Sequence, residues 1–132
     1  MIRTVPHTAV TPTDKALTIT ADDRDPQAGN MSHDYTITFP LREYHGGIDP
    51  TPYSPTINLH FQHGPIKEAG VNGITNEVLI AIIIDRLEGA QTGPFASDYN
   101  ADAIVALRVA SERLADRTRD REARGVEGQN KA

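Results

Sequence analysis

The feature that most constrains this chain is a pair of long helical patterns in its C-terminal part, separated by Gly93-Pro94. The first contains seven consecutive apolar residues, 78–84, so its helix carries apolar side chains on most sides. The second spans residues 97–124, about 28 residues or roughly 42 Å at the rise of an α-helix. A chain of 132 residues with few aromatic side chains has too small a core to cover both helices. We therefore expect a partner subunit to cover them and the hairpin to drive oligomerisation.

Capping residues mark the expected ends of both helices. Thr75 has the side chain of a good N-cap for the first helix, and Gly89 is expected to stop it. Ser97 or Asp98 is expected to cap the second helix, and Gly125 to end it. Two helices joined by so short a turn form a hairpin.

A heptad pattern in the second helix predicts a seam between helices. One row holds Asn100, Leu107, Leu114 and Arg121, and the other holds Ala103, Ala110 and Arg117. The middle of the seam is apolar and rich in alanine, whereas both ends are polar. Arginines in a seam are expected to meet water, an acid or a ligand.

Asn100 and Arg117 cannot serve one small ligand within a single chain. They are 17 residues apart, which is about 25 Å along a helix. An antiparallel pair of such helices would bring Asn100 of one chain beside Arg117 of the other, twice per dimer. A shared site would therefore be built from two chains.

The N-terminal part predicts an antiparallel β lobe. Apolar and polar residues alternate in residues 16–20, 33–39 and 56–62, as they do in half-buried strands. The first two segments are expected to form a hairpin around a long, ligand-accessible loop at residues 22–32.

The predicted fold class is α+β, with an antiparallel β lobe at residues 1–73 and a helical hairpin for assembly and ligand binding at residues 74–132. Within the lobe, residues 40–55 are too rich in Pro and Gly for regular structure. Residues 1–13 are expected to form a mobile or edge-covering arm.

The composition of the chain limits the functions that it can have. The chain has no cysteine, which excludes a disulfide framework and fits a reducing compartment. No signal peptide is visible, and the apolar run is far shorter than the roughly 20 residues needed to span a bilayer. We expect a soluble protein of the cytosol that does not bind membranes.

The arginines cluster near the C-terminal end. Residues 113–132 hold six basic and four acidic side chains, although the formal net charge of the whole chain is −5. An acidic protein is a poor non-specific binder of nucleic-acid polymers, because attraction to phosphates dominates that affinity. The cluster suits a small anion better. Taken by itself, however, the stripe is also typical of a solvated helix face balanced by Asp116 and Asp120, with Asp120 and Arg124 placed for an i,i+4 ion pair.

Catalytic and metal-binding motifs are not found. The five histidines, His7, His33, His45, His60 and His63, lack a metal-ligand spacing, so no metal site and no cofactor are predicted. No Gly-rich phosphate loop and no nucleophile elbow are present either. The sequence therefore predicts a binding protein rather than an enzyme.

Several short motifs resemble one known family. They are Gln62-His63-Gly64-Pro65-Ile66-Lys67-Glu68-Ala69-Gly70-Val71-Asn72-Gly73, Thr75-Asn76-Glu77, Asp85-Arg86-Leu87-Glu88-Gly89, Asn100-Ala101, Arg117-Thr118-Arg119-Asp120-Arg121 and Arg124-Gly125-Val126-Glu127-Gly128. Together they resemble the type one Thoeris anti-defence sponges of phages, which share a helical hairpin with anti-CBASS sponge proteins. The similarity covers about residues 56–128 and is weaker over the β lobe.

The resemblance implies a hexameric protein, a trimer of dimers, in the cytoplasm of the infected bacterium. It would sequester cyclic ADP-ribose isomers, and cyclic di- or trinucleotides at separate sites, without degrading them. By motif, Asn100 and Arg117 fall on ligand-contacting positions and Arg121 on a position of the second, oligonucleotide site. Asn can read an adenine edge, and Arg can pair with a pyrophosphate through two hydrogen bonds.

Ala90 departs from the pattern of the family. It stands in Gly89-Ala90-Gln91, where relatives carry an aromatic side chain that borders the ligand. Stacking on such a ring contributes roughly 1–3 kcal/mol per base in comparable proteins. The rings that could replace it are those of Phe95, Tyr99 and Tyr35.

Two hypotheses remain open at this point. The first is a homo-oligomeric sponge for signalling nucleotides, which binds without turnover. The second is a non-enzymatic structural or DNA-associated phage accessory protein, whose hairpin only mediates assembly and binds no nucleotide.

Overall fold

The computed structural model describes residues 1–8, 10–42, 52–129 and 131–132. The chain divides into two compact units, Met1–His63 and Gly64–Ala132. The domain boundary predicted between residues 73 and 74 stays a prediction, since compact units need not be independent domains. In the segment at residues 40–55, residues 43–51 lie outside the described part, and so does His45 of the five histidines.

The first unit is built on an antiparallel sheet whose four strands lie side by side in chain order. The strands are β1 (Arg3–Val5), β2 (Thr18–Ala21), β3 (Asp34–Thr38) and β4 (Thr56–His60). Ile19 of β2 pairs with Ile37 of β3, which pairs with Ile57 of β4. The apolar residues of the three alternating segments therefore align across the sheet. The predicted hairpin of β2 and β3 and the predicted third strand are confirmed.

The N-terminal arm covers an edge of the sheet. Its strand β1 pairs with β2, with Arg3 opposite Ala21. A short helix, α1 (Pro12–Ala16), follows, because the Thr11 side chain accepts a hydrogen bond from the amide of Asp14 and proline occupies the first turn. The alternation of residues 16–20 predicts a strand that begins at Ala16, and this prediction is wrong because Ala16 ends α1.

The second unit is the predicted helical hairpin, so the fold is α+β as expected. A single helical turn, α2 (Ile66–Ala69), precedes the two long helices α3 (Asn76–Gln91) and α4 (Asp98–Ala123), which pack against each other. Thr75 caps α3 by accepting a hydrogen bond from the Val78 amide, 3.3 Å away. Ser97 caps α4 by accepting one from the Asn100 amide, 3.1 Å away. Both caps agree with the sequence analysis.

The two glycines predicted to end the helices behave differently. Gly125 lies just after α4 with φ at +72°, in the left-handed region typical of a helix end. Gly89 does not stop α3, which continues to Gln91 and ends at Thr92. The Thr92 hydroxyl donates a hydrogen bond to the Gly89 carbonyl, 2.7 Å away. This side chain therefore satisfies one of the carbonyl groups at the C-terminal end of the helix.

Neither long helix contains a buried residue. Five apolar side chains on them are 46–61% exposed: Val78, Ile82, Ile83, Val105 and Val109. Among the residues that the structure describes, only Ala21, Ser32 and His33 are buried, and all three belong to the first unit. The hairpin of a single chain therefore leaves apolar surface in water. Oligomerisation stays a prediction.

Within the described ranges, none of the helices combines the length and the apolar character that crossing a membrane requires.

Substituting alanine for Gly89 and for Gly125 is expected to have opposite effects on stability. Gly89→Ala should raise the free energy of unfolding by up to about 1 kcal/mol, because alanine is the better helix former and a Cβ atom there contacts nothing. Gly125→Ala should lower it by about 1 kcal/mol, because alanine is strained at a positive φ. Urea denaturation of the two variants checks both signs. Destabilisation by Gly89→Ala would contradict the continuous helix.

Candidate functional site

The arginines in the second half of α4 are mostly engaged by acidic side chains of the same unit. Arg113 and Arg119 both contact Asp116, at 3.1 and 2.7 Å. Arg124 pairs with Asp120 at 3.0 Å, the i,i+4 ion pair that the spacing predicts. This part of the arginine stripe is the balanced helix face expected of a solvated surface.

Arg117 is the exception. It is exposed, and it makes no hydrogen bond or ion pair with any residue that the structure describes. Its guanidinium group keeps five N–H donors in a planar fork, a geometry that matches a phosphate or a carboxylate. Arg117 is thus the arginine of α4 that the described part of the chain leaves available to an external anion.

Arg121 is held by the residues that follow α4. Its side chain is only 13% exposed and contacts the Glu127 carboxylate at 3.0 Å. It also donates hydrogen bonds to the carbonyl oxygens of Val126 (3.0 Å), Gln129 (2.9 Å) and Lys131 (2.6 Å). Most of its donors are therefore used within the chain. Its predicted ligand contact stays a prediction, and a ligand there would compete with these acceptors.

Asn100 lies in the first turn of α4, where a polar cluster closes the turn between the two helices. The Gln91 side chain accepts a hydrogen bond from the Ser97 amide at 2.8 Å and donates one to the Ser97 carbonyl at 3.0 Å. The Asn100 side-chain nitrogen donates to the same Gln91 oxygen at 3.2 Å and to the Phe95 carbonyl at 2.9 Å. The Asn100 side-chain oxygen makes no hydrogen bond within the described ranges, so it can still accept one from a ligand.

Two aromatic rings stand beside this cluster. Phe95 is 80% exposed and Tyr99 is 86% exposed. Ala90 is half-buried in the last turn of α3. Tyr35 belongs to the other unit, where it packs edge-on against Phe61 with ring centroids 5.4 Å apart. Phe95 and Tyr99 are thus the rings that share a unit with Asn100.

The continuous helix keeps Asn100 and Arg117 apart. Both lie within α4, so the helical rise separates them by about 25 Å. Asn100 belongs to a heptad row that is half-buried in the single chain, whereas Ala110 and Arg117 of the other row are exposed. The structure therefore does not bring Asn100 and Arg117 together in one chain.

Sequence reasoning missed Gln91, whose side chain organises the turn and positions Asn100. Residue 91 lies beyond the expected end of the first helix at Gly89, so helical periodicity does not indicate a role for its side chain. The signal available was a polar residue with a donor and an acceptor just after the expected end of the first helix at Gly89.

Sequence reasoning also missed a cluster of titratable side chains in the first unit. The Oδ2 atom of Asp25 lies 3.1 Å from Nε2 of His33 and 3.7 Å from Nε2 of His63. The two imidazole rings are stacked, with centroids 4.0 Å apart and planes 7° from parallel. The hydrogen bond with His33, and a second from the Gln27 amide, lower the pKa of Asp25 below its ordinary value. His63 lies 30 residues after His33, so spacing alone could not group it with Asp25 and His33.

Comparison with known proteins gives one informative match. No protein-family model matches the chain. A protein of Bacillus phage SBSphiJ7 named "Thoeris anti-defense 1" is 49% identical to it over 70 residues, which is 53% of this chain. The chain spans about half the length of this curated relative (49%).

Removing the Arg121 side chain is expected to loosen the segment after α4. Arg121→Ala should lower the free energy of unfolding by about 2 kcal/mol, because hydrogen bonds to charged groups contribute roughly 1.5–3 kcal/mol. Amide exchange at residues 126–129 should accelerate at the same time. The matched control is Arg117→Ala, expected to stay within about 0.5 kcal/mol, as exposed substitutions usually do. Equal effects of the two substitutions would contradict the distinction between these arginines.

Proposed function

We propose that this protein, which belongs to the Thoeris anti-defense 1 family, protects a phage from Thoeris immunity by sequestering nucleotide second messengers. It would act in the cytoplasm of the infected bacterium. The ligands are cyclic ADP-ribose isomers, together with cyclic di- or trinucleotides of CBASS at separate sites. It holds them without degrading them.

The observation that carries this proposal is the state of Arg117. The other arginines of residues 113–124 are paired with Asp116, Asp120 or Glu127, whereas Arg117 is exposed and unpaired among the described residues. A pyrophosphate group would supply the acceptors that this guanidinium group lacks, through charge-assisted hydrogen bonds. An arginine that served only to balance acidic neighbours would be paired like the others.

The other end of α4 provides groups suited to a base. The unused side-chain oxygen of Asn100 can accept a hydrogen bond from the exocyclic amine of adenine. Phe95, 80% exposed beside it, offers a ring face on which a base can stack. In this proposal Phe95 takes the place of the aromatic side chain that Ala90 lacks.

Asn100 and Arg117, at the two ends of α4, can contact the same ligand only when two chains assemble. Two copies of α4 that pair antiparallel would place Asn100 of one chain near Arg117 of the second copy, which yields two equivalent sites per dimer. The uncovered apolar residues of the hairpin, among them Ile82, Val105 and Val109, supply surface for such contacts. A trimer of dimers would complete the proposed hexamer.

Arg117→Ala is expected to weaken nucleotide binding by at least about tenfold, because it removes hydrogen bonds to a charged group worth roughly 1.5–3 kcal/mol. Isothermal titration calorimetry with cyclic ADP-ribose isomers and with cyclic di- and trinucleotides measures the effect. Arg119→Ala, which removes an arginine paired with Asp116 on the same helix, should bind like the unaltered chain. Light scattering should show the same oligomer for both variants.

Absence of heat with all these nucleotides would refute the sponge and favour the alternative, a phage accessory protein whose hairpin only mediates assembly. Incubation with a signal extract generated by a TIR-domain protein, followed by heat denaturation, separates sequestration from hydrolysis. Release of an unchanged nucleotide supports sequestration, and release of a cleaved product would show an enzyme.

Phe95→Ala is expected to lower the affinity by about 1–3 kcal/mol, the contribution of one base stacked on an aromatic ring. The fold of this variant should be unchanged, because the Phe95 ring is 80% exposed and the hydrogen bond from Asn100 is accepted by the Phe95 backbone carbonyl, which alanine retains. The same calorimetric titration measures the loss. Tyr99→Ala is the matched variant, since Tyr99 is similarly exposed (86%) and lies in the first turn of α4. A loss confined to Tyr99→Ala would assign the stacking to that ring instead.

A further inference from the structure

The Asp25, His33 and His63 cluster of the first unit has no part in the proposed nucleotide site. Its three side chains come from two segments of the fold. Asp25 and His33 lie in the loop between β2 and β3, and His63 lies just beyond β4. The sheet is what joins them, because β3 pairs with β4 and thereby sets the two segments side by side.

The distances suit a single metal ion. One ligand atom from each residue lies within 4.8 Å of the other two. Bonds of about 2.0–2.2 Å from zinc to nitrogen or oxygen place neighbouring ligand atoms of a tetrahedral site roughly 3.4 Å apart. The distances from Asp25 Oδ2 to the two histidine nitrogens, 3.1 and 3.7 Å, lie close to that value.

Burial also suits a metal. The His33 side chain is 7% exposed, so it offers a rigid ligand, whereas the His63 side chain is 58% exposed, so an ion in solvent can reach it. Both Nε2 atoms lie within 3.7 Å of the same Asp25 oxygen, so the three ligand atoms are gathered in one place. Residues 22–34 contain four aspartates and one arginine, so the local charge favours a cation.

We propose that Asp25, His33 and His63 bind a divalent transition-metal ion, of which zinc fits best. Two imidazole nitrogens and one carboxylate are a ligand set that zinc uses in proteins, whereas magnesium and calcium prefer oxygen ligands. The ion ties the loop between β2 and β3 to the end of β4. Its fourth position is left to water or to an oxygen of an anion.

The test uses the untagged full chain, stripped with EDTA and titrated calorimetrically with zinc chloride. The expected result is one zinc ion per chain. His63→Ala should weaken zinc binding by at least about tenfold, since even the outer-shell partners of metal ligands contribute roughly 10–100-fold. Magnesium chloride should give no saturable heat.

Two further variants make the result specific. His60→Ala is the matched control, because His60 also pairs with an aspartate (Asp34, 2.6 Å) but lies outside the cluster, so it should bind zinc like the unaltered chain. His63→Cys should keep zinc binding, since a thiolate is a zinc ligand but cannot replace the stacked ring. That variant separates a metal ligand from a structural stack.

The proposal is overturned by the absence of saturable zinc binding to the unaltered chain. It is also overturned if His63→Ala binds zinc as tightly as the unaltered chain, or if His60→Ala loses binding to the same degree. Nucleotide titrations of the same variants are a separate measurement, so failure of the zinc site leaves the proposed sequestration to its own test.

Discussion

The geometry of the helical unit depends on the hydrogen bonds that Gln91 makes across the turn between α3 and α4. Its side-chain amide engages both the N–H and the carbonyl of Ser97 and also contacts Asn100. This arrangement fixes the start of α4, because Ser97 is the residue that caps it. It also orients Asn100 so that the side-chain nitrogen is used internally and the oxygen is left for a ligand. A local closure of the turn thus prepares one end of the proposed site.

At the other end of α4, pairing of charges decides which arginine can act. Surface ion pairs such as Arg119 with Asp116 contribute little to stability, about 0–1 kcal/mol, yet they occupy the donors of the arginine. Arg121 is held more firmly, because it is nearly buried and meets several acceptors of the following segment. Arg117 keeps its donors. The sequence shows similar arginines at these positions, and the structure separates them by their partners.

The hairpin is also where a single chain leaves apolar surface in water. Ile82 and Val109 are more than half exposed, and neither long helix holds a buried residue. Burial of apolar surface contributes about 25 cal/mol per Å², so such side chains favour contact with another surface. The proposed pairing of α4 helices would use this tendency and would bring Asn100 and Arg117 of different chains together. Assembly and ligand binding would then both depend on the length of α4.

The sequence by itself determined the features that depend on neighbouring residues: the period of the helices, the caps at Thr75 and Ser97, and the alternation of β2, β3 and β4. Its motifs also predicted the similarity to a Thoeris anti-defense protein that the comparison found. Only the tertiary structure decided what depends on distant partners. It showed that α3 passes Gly89, that Arg117 and Arg121 differ, and that Asp25 meets two histidines. The physical reason is that helix periods and caps act over a few residues, whereas hydrogen-bond partners and metal ligands are set by contacts between segments that spacing does not reveal.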